Sequence, residues 1–188
     1  FVRLTGCPLR CVYCDTAYAF TGGTRWHQQK ILDEVASHPA RHVCVTGGEP
    51  LAQPAVHPLL SALCDQGYHV SLETSGALDI ARVDRRVHIV MDLKTPHSGE
   101  VDRNHWDNLK YLKSSDEIKF VIANREDFAW MESVVGEFNL DQRNLVICSP
   151  VADQIEPRTL AEWVLASKHH LRMQLQLHKV IWGNEPGH

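Results

Sequence analysis

The sequence predicts an α/β fold, an incomplete (β/α) barrel with a mostly parallel sheet. Short apolar runs alternate with amphipathic segments of helix length over the 188 residues. Such strand–helix units imply right-handed crossovers between parallel strands. Six or seven apolar runs are too few for the eight units of a closed barrel. We therefore expect an open barrel, formed by a single domain over residues 1–188 without an interdomain linker.

The individual elements follow from these runs in chain order. Strands are predicted at Phe1–Leu4, His42–Val45, His69–Glu73, Val87–Asp92, Glu117–Ile122, Asn144–Ile147 and Met173–Leu177. Helices are predicted at Gln28–Ser37, Pro54–Gln66, Asn104–Lys113, Arg125–Glu137 and Arg158–His170. Pro157 fits the first turn of the last helix, and Asp79 is a candidate cap of a further short helix after Gly76.

The composition excludes several classes of function. A formal net charge of −4 provides no broad basic surface, so we expect no nucleic-acid partner. No apolar run approaches the ~20 residues that span a bilayer, and no secretory signal is visible. Six cysteines, three of them closely spaced, suit a reducing compartment better than a disulfide scaffold, which predicts a cytoplasmic protein.

Three cysteines follow the first predicted strand with the spacing C-x3-C-x2-C, at Cys7, Cys11 and Cys14. Iron–sulfur clusters usually take four cysteines, so three thiolates can bind three irons of a [4Fe–4S] cluster and leave the fourth open. The spacing, with Tyr13 before the last cysteine, resembles the signature of radical S-adenosylmethionine (SAM) enzymes, in which SAM occupies that iron. A structural zinc site completed by one of the 12 histidines is the alternative.

The other three cysteines are isolated in the sequence. Cys44 and Cys148 lie in apolar runs of strand character, and Cys64 lies on an apolar helix face. We predict that all three are buried free thiols.

Polar or glycine-containing segments follow most of the predicted strands. They are Cys7–Cys14, Thr46–Pro50, Glu73–Gly76, Asp92–Pro96, Ser149–Pro150 and His178. Because ligands bind at the carboxyl ends of the strands in parallel sheets and barrels, we expect these segments to line one mouth. Most of them also have a structural alternative, such as a strand-to-helix turn at Thr46–Pro50 or a surface ion pair at Asp92 and Lys94.

Their common position favours ligand binding for several of them. Glycines at 47 and 48 allow a backbone to approach a ligand closely. SAM contacts are expected from Asp92 and Lys94. For Thr74, a ribose or methionine contact is as consistent with the sequence as a local turn.

Three further side chains are candidates near the first and last strands. The hydroxyl of Thr16 suits Mg²⁺, although a turn with an Asx-type hydrogen bond is equally typical of Asp15-Thr16. Arg3 suits a carboxylate ligand, or it is a surface arginine at a strand edge. His178, at the end of the last predicted strand, is either structural or close to the ligand.

The segments FVRLTGCPLRCVYCDT, VTGGEP, LETSG, MDLKTPHSG, DEIKFVI and QLHKVIWG together resemble the 7-carboxy-7-deazaguanine synthase family over essentially the whole chain. The resemblance implies a lyase of queuosine and 7-deazapurine biosynthesis. In this family a 5′-deoxyadenosyl radical takes hydrogen from C6 of 6-carboxy-5,6,7,8-tetrahydropterin. The ring contracts, ammonia is lost, 7-carboxy-7-deazaguanine forms, and SAM is regenerated.

The resemblance also implies roles for particular residues, none of them a catalytic acid or base. The implied cluster ligands are Cys7, Cys11 and Cys14, the implied Mg²⁺ ligand is Thr16, the implied substrate contacts are Arg3, Thr46 and His178, and the implied SAM contacts are Tyr13, Cys14, Asp15, Gly48, Glu49, Ser149 and Pro150. The side chains would mainly position the reactants, while the cofactors supply the radical chemistry.

The family further implies a homodimer and an electron donor such as flavodoxin or ferredoxin. Members carry an amino-terminal Gln-Gly-Glu-Gly segment that contacts the pterin. This chain begins at Phe1 inside an apolar run, so we expect that a preceding segment is missing. Two other functions stay open at this point: an activase of glycyl-radical enzymes, and a non-catalytic binding module stabilised by a metal.

Overall fold

Seven parallel strands form one sheet in the order in which they occur in the chain. The computed structural model describes residues 1–183 and 185, without the side chain of residue 178. The strands are β1 (Val2–Leu4), β2 (His42–Gly47), β3 (His69–Thr74), β4 (His88–Leu93), β5 (Glu117–Ile122), β6 (Leu145–Pro150) and β7 (Leu171–Met173). Because β1 and β7 lie at opposite edges of this order, the barrel is open.

Helices and short 3₁₀ segments connect the strands. The α-helices are α1 (Gln28–Ala36), α2 (Val56–Asp65), α3 (Arg125–Phe138), α4 (Pro157–Ala166) and α5 (Leu177–Trp182). The 3₁₀ segments are Ala17–Ala19, Pro50–Ala52, Pro96–Ser98, Val101–Arg103, Trp106–Lys110 and Leu140–Gln142. Among the helices described, none is both long and apolar enough to cross a bilayer.

The two faces of the sheet differ in character. Side chains alternate between faces along a strand, and one face carries buried residues such as Leu72, Met91 and Phe120, which form the main core. Helices α2, α3 and α4 pack on β3, β5 and β6 and cover this core. The other face carries Thr46, Asp92 and other polar residues, and it lines the open interior of the barrel.

The strand predictions for β1 to β6 are confirmed to within a few residues, but the last one is wrong. The predicted strand Met173–Leu177 is replaced by β7 at Leu171–Met173, and Leu177 begins α5. The RMQLQL alternation suggests a longer strand, yet the ladder ends where the Gln174 amide donates to the Cys148 carbonyl (2.9 Å).

Two predicted helices in the middle of the chain are also wrong. Only the short 3₁₀ segment Trp106–Lys110 forms within Asn104–Lys113. The side chain of Asn108 instead binds the Ile80 amide and two carbonyls of the preceding loop, and such side-chain bonds compete with helix formation. Asp79 caps no helix, because its carboxylate accepts the Ala81 amide in a turn (2.8 Å).

The end of α4 and the isolated cysteines need smaller corrections. Helix α4 starts with Pro157 as predicted but ends at Ala166, since the Ser167 hydroxyl donates to Glu132 (2.7 Å). Cys148 is buried as predicted, whereas Cys44 and Cys64 are only partly buried. All three are free thiols.

Asp116 is a buried carboxylate that links β4 to β5. It accepts the Ile89 amide (2.9 Å) and the Lys113 amide (2.8 Å), and it pairs with the Lys113 ammonium group (2.8 Å). We expect Asp116→Ala to lower the free energy of unfolding by ~3 kcal/mol, because these donors would lose their buried partner. Urea unfolding measures this loss. Asp102→Ala, which removes an exposed carboxylate, should leave the midpoint unchanged, and an equal loss in both variants would contradict the assignment.

Candidate functional site

The segment between β1 and the first 3₁₀ turn, residues 5–16, carries the three clustered cysteines and is called the cysteine loop here. Cys7, Cys11 and Cys14 are free and partly buried. The loop is folded by local contacts: the Leu9 amide faces Cys7 Sγ (3.5 Å), and the Cys14 amide donates to the Cys11 carbonyl (3.2 Å). The Leu9 side chain is fully buried and anchors the loop.

Two glycines at the end of β2 allow its backbone to contact the start of the cysteine loop closely. The Gly48 amide donates to the Leu4 carbonyl (2.9 Å), and the Glu49 amide donates to the Gly6 carbonyl (2.7 Å). A Cβ on Gly47 would lie 1.9 Å from the Leu4 carbonyl oxygen, and one on Gly48 would lie 2.3 Å from the Gly6 carbonyl oxygen. Only glycine fits this approach of the two backbones.

The carboxylate of Glu49 ties the ends of β2 and β3 together. It is fully buried and accepts the Thr74 hydroxyl (2.9 Å), the Ser75 amide (2.7 Å), the Ser75 hydroxyl and the Leu51 amide (3.0 Å). An ionised carboxylate has about four acceptor sites. In this conformation Glu49 and Thr74 are therefore occupied by each other and by their neighbours.

Arg3, Thr46 and Glu73 lie beside one another on the interior face of the sheet. Arg3 is the register partner of Thr46 in the β1–β2 ladder. The buried Thr46 hydroxyl donates to the exposed Glu73 carboxylate (3.0 Å). The Arg3 guanidinium lies 5.7 Å from the centre of the Tyr18 ring. Positive, hydroxyl and negative groups are thus available together for a polar ligand.

The buried Lys94 and the partly buried Asp92 form an ion pair at the end of β4. The distance from Lys94 Nζ to Asp92 Oδ2 is 3.1 Å. Asn104 holds the Lys94 backbone, accepting its amide (2.8 Å) and donating to its carbonyl (2.9 Å). Asp92 Oδ1 is buried and has no hydrogen-bond partner, which is rare for a carboxylate oxygen and leaves it available as an acceptor.

Burial and nearby charges govern the protonation of this region. Burial would lower the pKa of Lys94, but the charge and hydrogen bond of Asp92, together with the nearby Cys11 and Tyr13, outweigh burial and hold that pKa above the ordinary lysine value. Burial raises the pKa of Cys11 to about 11, against the opposing effect of Lys94, and burial also raises the pKa of Cys7. These thiols are neutral at pH 7 unless a metal stabilises their thiolates.

Tyr13, within the cysteine loop, packs against the segment after β4. Its ring contacts the small apolar cluster of Val121, Ala123 and Val151 and stacks at 6.4 Å from the His97 ring. Its hydroxyl lies 3.5 Å from Thr95 Oγ1. Burial raises the pKa of Tyr13 above its ordinary value, so the phenol is neutral at pH 7.

The remaining predicted residues lie at the far side of the mouth. Ser149 is buried, and Pro150 lines a cavity of about 340 Å³ between residues 152–157 and residues 175–180, which are called the tail here. Asp15 Oδ2 accepts the Gln176 amide side chain (2.8 Å), which connects the cysteine loop to that tail. His178 lies in α5 and not at a strand end, which corrects the prediction, and its side chain lies outside the described part of the chain.

The site also contains residues that the sequence analysis missed. Asn104 holds the backbone of Lys94, Glu100 accepts the Arg10 amide (2.5 Å), and the Ser98 carbonyl accepts the Val12 amide (3.1 Å). These partners are separated by up to 90 residues. No spacing motif in the sequence predicts these contacts. The only sequence signal is that residues 95–100 come shortly after β4.

The metal-binding side chains of the site can be compared with the requirements of an iron–sulfur cluster and of a zinc site. Among the described residues, no three His, Cys, Asp or Glu side chains are already gathered to hold a metal ion. The fit therefore rests on donor chemistry: three free thiols on one loop, above a glycine whose Cβ would lie 3.0 Å from Cys7 Cβ. Thiolates suit iron–sulfur clusters, whereas a structural zinc site requires a fourth ligand.

Comparison with known proteins provides independent information. Residues 1–114 match the model of the Radical SAM superfamily. The chain is 44% identical to the 7-carboxy-7-deazaguanine synthase of Chlorobaculum tepidum, covering 97% of this chain and 84% of that protein. It is 38% identical to the 7-carboxy-7-deazaguanine synthase of Koribacter versatilis, covering 98% of this chain and 88% of that protein.

Solved structures provide a more distant likeness. The structure of Streptococcus suis SuiB bound to the precursor peptide SuiA superposes with a TM-score of 0.66 at 15% identity. The match covers 96% of this chain but 49% of SuiB. At this identity the likeness supports the fold alone.

Gly48 offers a direct test of how the cysteine loop is supported. We expect Gly48→Ala to destabilise the protein by ~2 kcal/mol, as overpacking does, and to reduce the iron bound after anaerobic reconstitution, because the new Cβ displaces the Gly6 backbone. Thermal unfolding and iron analysis measure both effects. Gly136→Ala is the control, since its Cβ would meet only the His169 ring at 3.5 Å. Normal iron binding by Gly48→Ala would argue against this support.

Proposed function

This chain belongs to the 7-carboxy-7-deazaguanine synthase family of the radical SAM superfamily, and we propose that it converts 6-carboxy-5,6,7,8-tetrahydropterin to 7-carboxy-7-deazaguanine with loss of ammonia. The observation that carries the proposal is 44% identity over 97% of this chain to a synthase of that name. The activase and the binding module considered above gain no support from these relatives.

Membership of the superfamily implies a [4Fe–4S] cluster and SAM as cofactors. Cys7, Cys11 and Cys14 would hold the cluster, and their position on one loop above Gly48 supports this assignment. When bound, the cluster and SAM supply the one-electron chemistry that starts the reaction. The chain itself has to bind the reactants, orient them and exclude water.

We assign the SAM contacts to the strand ends around the cysteine loop. Asp92 contributes an unpartnered buried carboxylate oxygen, which suits a hydroxyl or ammonium donor. Lys94 keeps Asp92 in place and adds a positive charge. Further contacts are proposed from the loop residues Tyr13, Cys14 and Asp15, from Gly48, Glu49 and Thr74, and from Ser149 and Pro150. Glu49 and Thr74 bond to each other (2.9 Å), so we expect them to shape the site as much as they touch the ligand.

The substrate would bind on the interior face of the sheet. Its carboxylate matches the guanidinium of Arg3, which can bind it with two parallel hydrogen bonds. Thr46 lies beside Arg3 in the ladder and is held by Glu73, so its oxygen is oriented. His178 is proposed to approach the pterin from the tail, because Gln176, two residues before it, contacts the cysteine loop.

Other parts of the proposal concern the metal ion and the partners. Thr16 would be the protein ligand of Mg²⁺, and its hydroxyl lies 3.8 Å from Cys14 Sγ, at the edge of the cysteine loop.

Exposed apolar side chains at Leu165 and along α5 suit a homodimer contact. Val12, on the cysteine loop, is exposed and leaves a path for an electron donor such as flavodoxin or ferredoxin. The main core, which includes residues of both edge strands, supports a single domain, and six free cysteines suit the cytoplasm.

Anaerobic turnover tests the proposed reaction. The reconstituted protein is supplied with 6-carboxy-5,6,7,8-tetrahydropterin, SAM, Mg²⁺ and a reductant, and products are followed by mass. We expect a product lighter by the elements of ammonia, without stoichiometric consumption of SAM. Cys11→Ala should abolish SAM cleavage because a cluster ligand is lost, whereas Cys64→Ala, a matched change on α2, should retain it. Cleavage of SAM without that product would refute the proposed substrate.

Thr16 can be tested by isosteric replacement. We expect Thr16→Val to raise the Mg²⁺ concentration for half-maximal activity by about tenfold or more, since valine keeps the shape but removes the oxygen ligand. Thr16→Ser keeps the oxygen and should resemble the parent protein. Magnesium titrations of kcat/KM compare the three proteins. An unchanged titration for Thr16→Val would remove Thr16 from this role.

A further inference from the structure

The segment after β4, residues 95–100, contacts the cysteine loop directly and is called the brace here. Its Ser98 carbonyl accepts the Val12 amide (3.1 Å), and its Glu100 carboxylate accepts the Arg10 amide (2.5 Å). One of these amides lies between the first and second cysteines and the other lies between the second and third. The brace therefore holds both spacer segments of the C-x3-C-x2-C motif.

The brace is itself firmly held. The Ser98 hydroxyl donates to the Thr95 carbonyl (2.6 Å) and accepts the Glu100 amide (3.0 Å), which fixes the turn internally. The Thr95 hydroxyl donates to the Val121 carbonyl of β5 (3.2 Å). Asp127, at the start of α3, accepts the His97 amide (2.9 Å). Glu100 thus extends from a rigid support.

Glu100 differs from the other contacts of the brace because it combines an acceptor with a charge. Its carboxylate engages the Arg10 amide, so this amide is not available as a donor to sulfur. The Arg10 guanidinium turns back to the carbonyls of Cys7 (2.8 Å) and Leu9 (2.6 Å), which adds a second link at the same point. The reduction potential of an iron–sulfur cluster depends on hydrogen bonds to its sulfurs and on nearby charge.

We propose that Glu100 is a positioning residue of the cluster site, which holds the Arg10 amide of the cysteine loop and, through its negative charge, makes the bound cluster harder to reduce. This inference rests on the cluster assignment in the proposed function and not on the identity of the substrate. It gives a specific role to a residue that no spacing motif contains.

The test compares Glu100→Gln and Glu100→Ala with the parent protein and with Glu137→Gln, which removes an exposed charge on α3. Iron and sulfide content, the rate of iron loss to a chelator, and the midpoint potential from an EPR-monitored titration are measured without SAM or pterin. We expect Glu100→Gln to keep its cluster with a less negative potential. Glu100→Ala should lose iron about tenfold faster, as when a hydrogen bond to a charged group is removed, and Glu137→Gln should match the parent.

The following outcomes would contradict the proposal or the cluster assignment on which it rests. Potentials and iron-loss rates equal to the parent in both Glu100 variants would overturn the proposal. If Glu100→Ala fails to fold by circular dichroism, an unchanged potential in Glu100→Gln overturns it alone. An equal shift in Glu137→Gln would also overturn it, because the effect would then reflect net charge and not the contact. A parent protein that binds no cluster would refute the cluster assignment itself, whereas failure of pterin turnover leaves these measurements intact.

Discussion

The close approach of two backbones at the ends of β1 and β2 is the constraint on which the rest of the site depends. Gly47 and Gly48 lie against Leu4 and Gly6 at distances that no side chain permits. The two amides after β2 bond to the carbonyls of Leu4, the last residue of β1, and of Gly6, so the parallel pairing continues beyond the strands. This continued pairing sets the start of the cysteine loop, and with it the position of the first cysteine.

Side-chain hydrogen bonds and an ion pair also hold the ends of the strands in place. Glu49 connects β2 to β3, and Thr46 connects to Glu73 in the same pair of strands. At the end of β4, Asn104 holds Lys94, and Lys94 holds Asp92. Most of the polar groups at the mouth therefore bind each other before any ligand arrives. Asp92 Oδ1 is an exception among the described buried atoms. A ligand that donates a hydrogen bond to this oxygen would satisfy a buried acceptor.

The sequence predicted the parts of the structure that depend on local patterns. Strands β2 to β6 are buried apolar runs, and the cysteines, Gly48, Asp92 and Lys94 stand out by spacing or by their place after a strand. The segment from Asn104 to Lys113 was mispredicted because its helical composition is overruled by bonds from Asn108 to a loop about 30 residues away. Glu100 is not predicted as a site residue for the same reason, since its partner Arg10 lies 90 residues earlier. Long-range hydrogen bonds between side chains and the backbone produce no periodic pattern of residue types in a sequence.

A side-chain hydrogen bond links the segments that follow the two edge strands, β1 and β7, although these strands are not neighbours. The Gln176 side chain donates to Asp15 across 161 residues of sequence. Gln176 also lines the cavity beside Pro150, together with Leu175, Lys179 and Val180 of the tail. An open barrel can thus be bridged at the level of the cysteine loop without closing its sheet. Because α5 begins directly after Gln176, this hydrogen bond also connects the start of α5 to the cysteine loop.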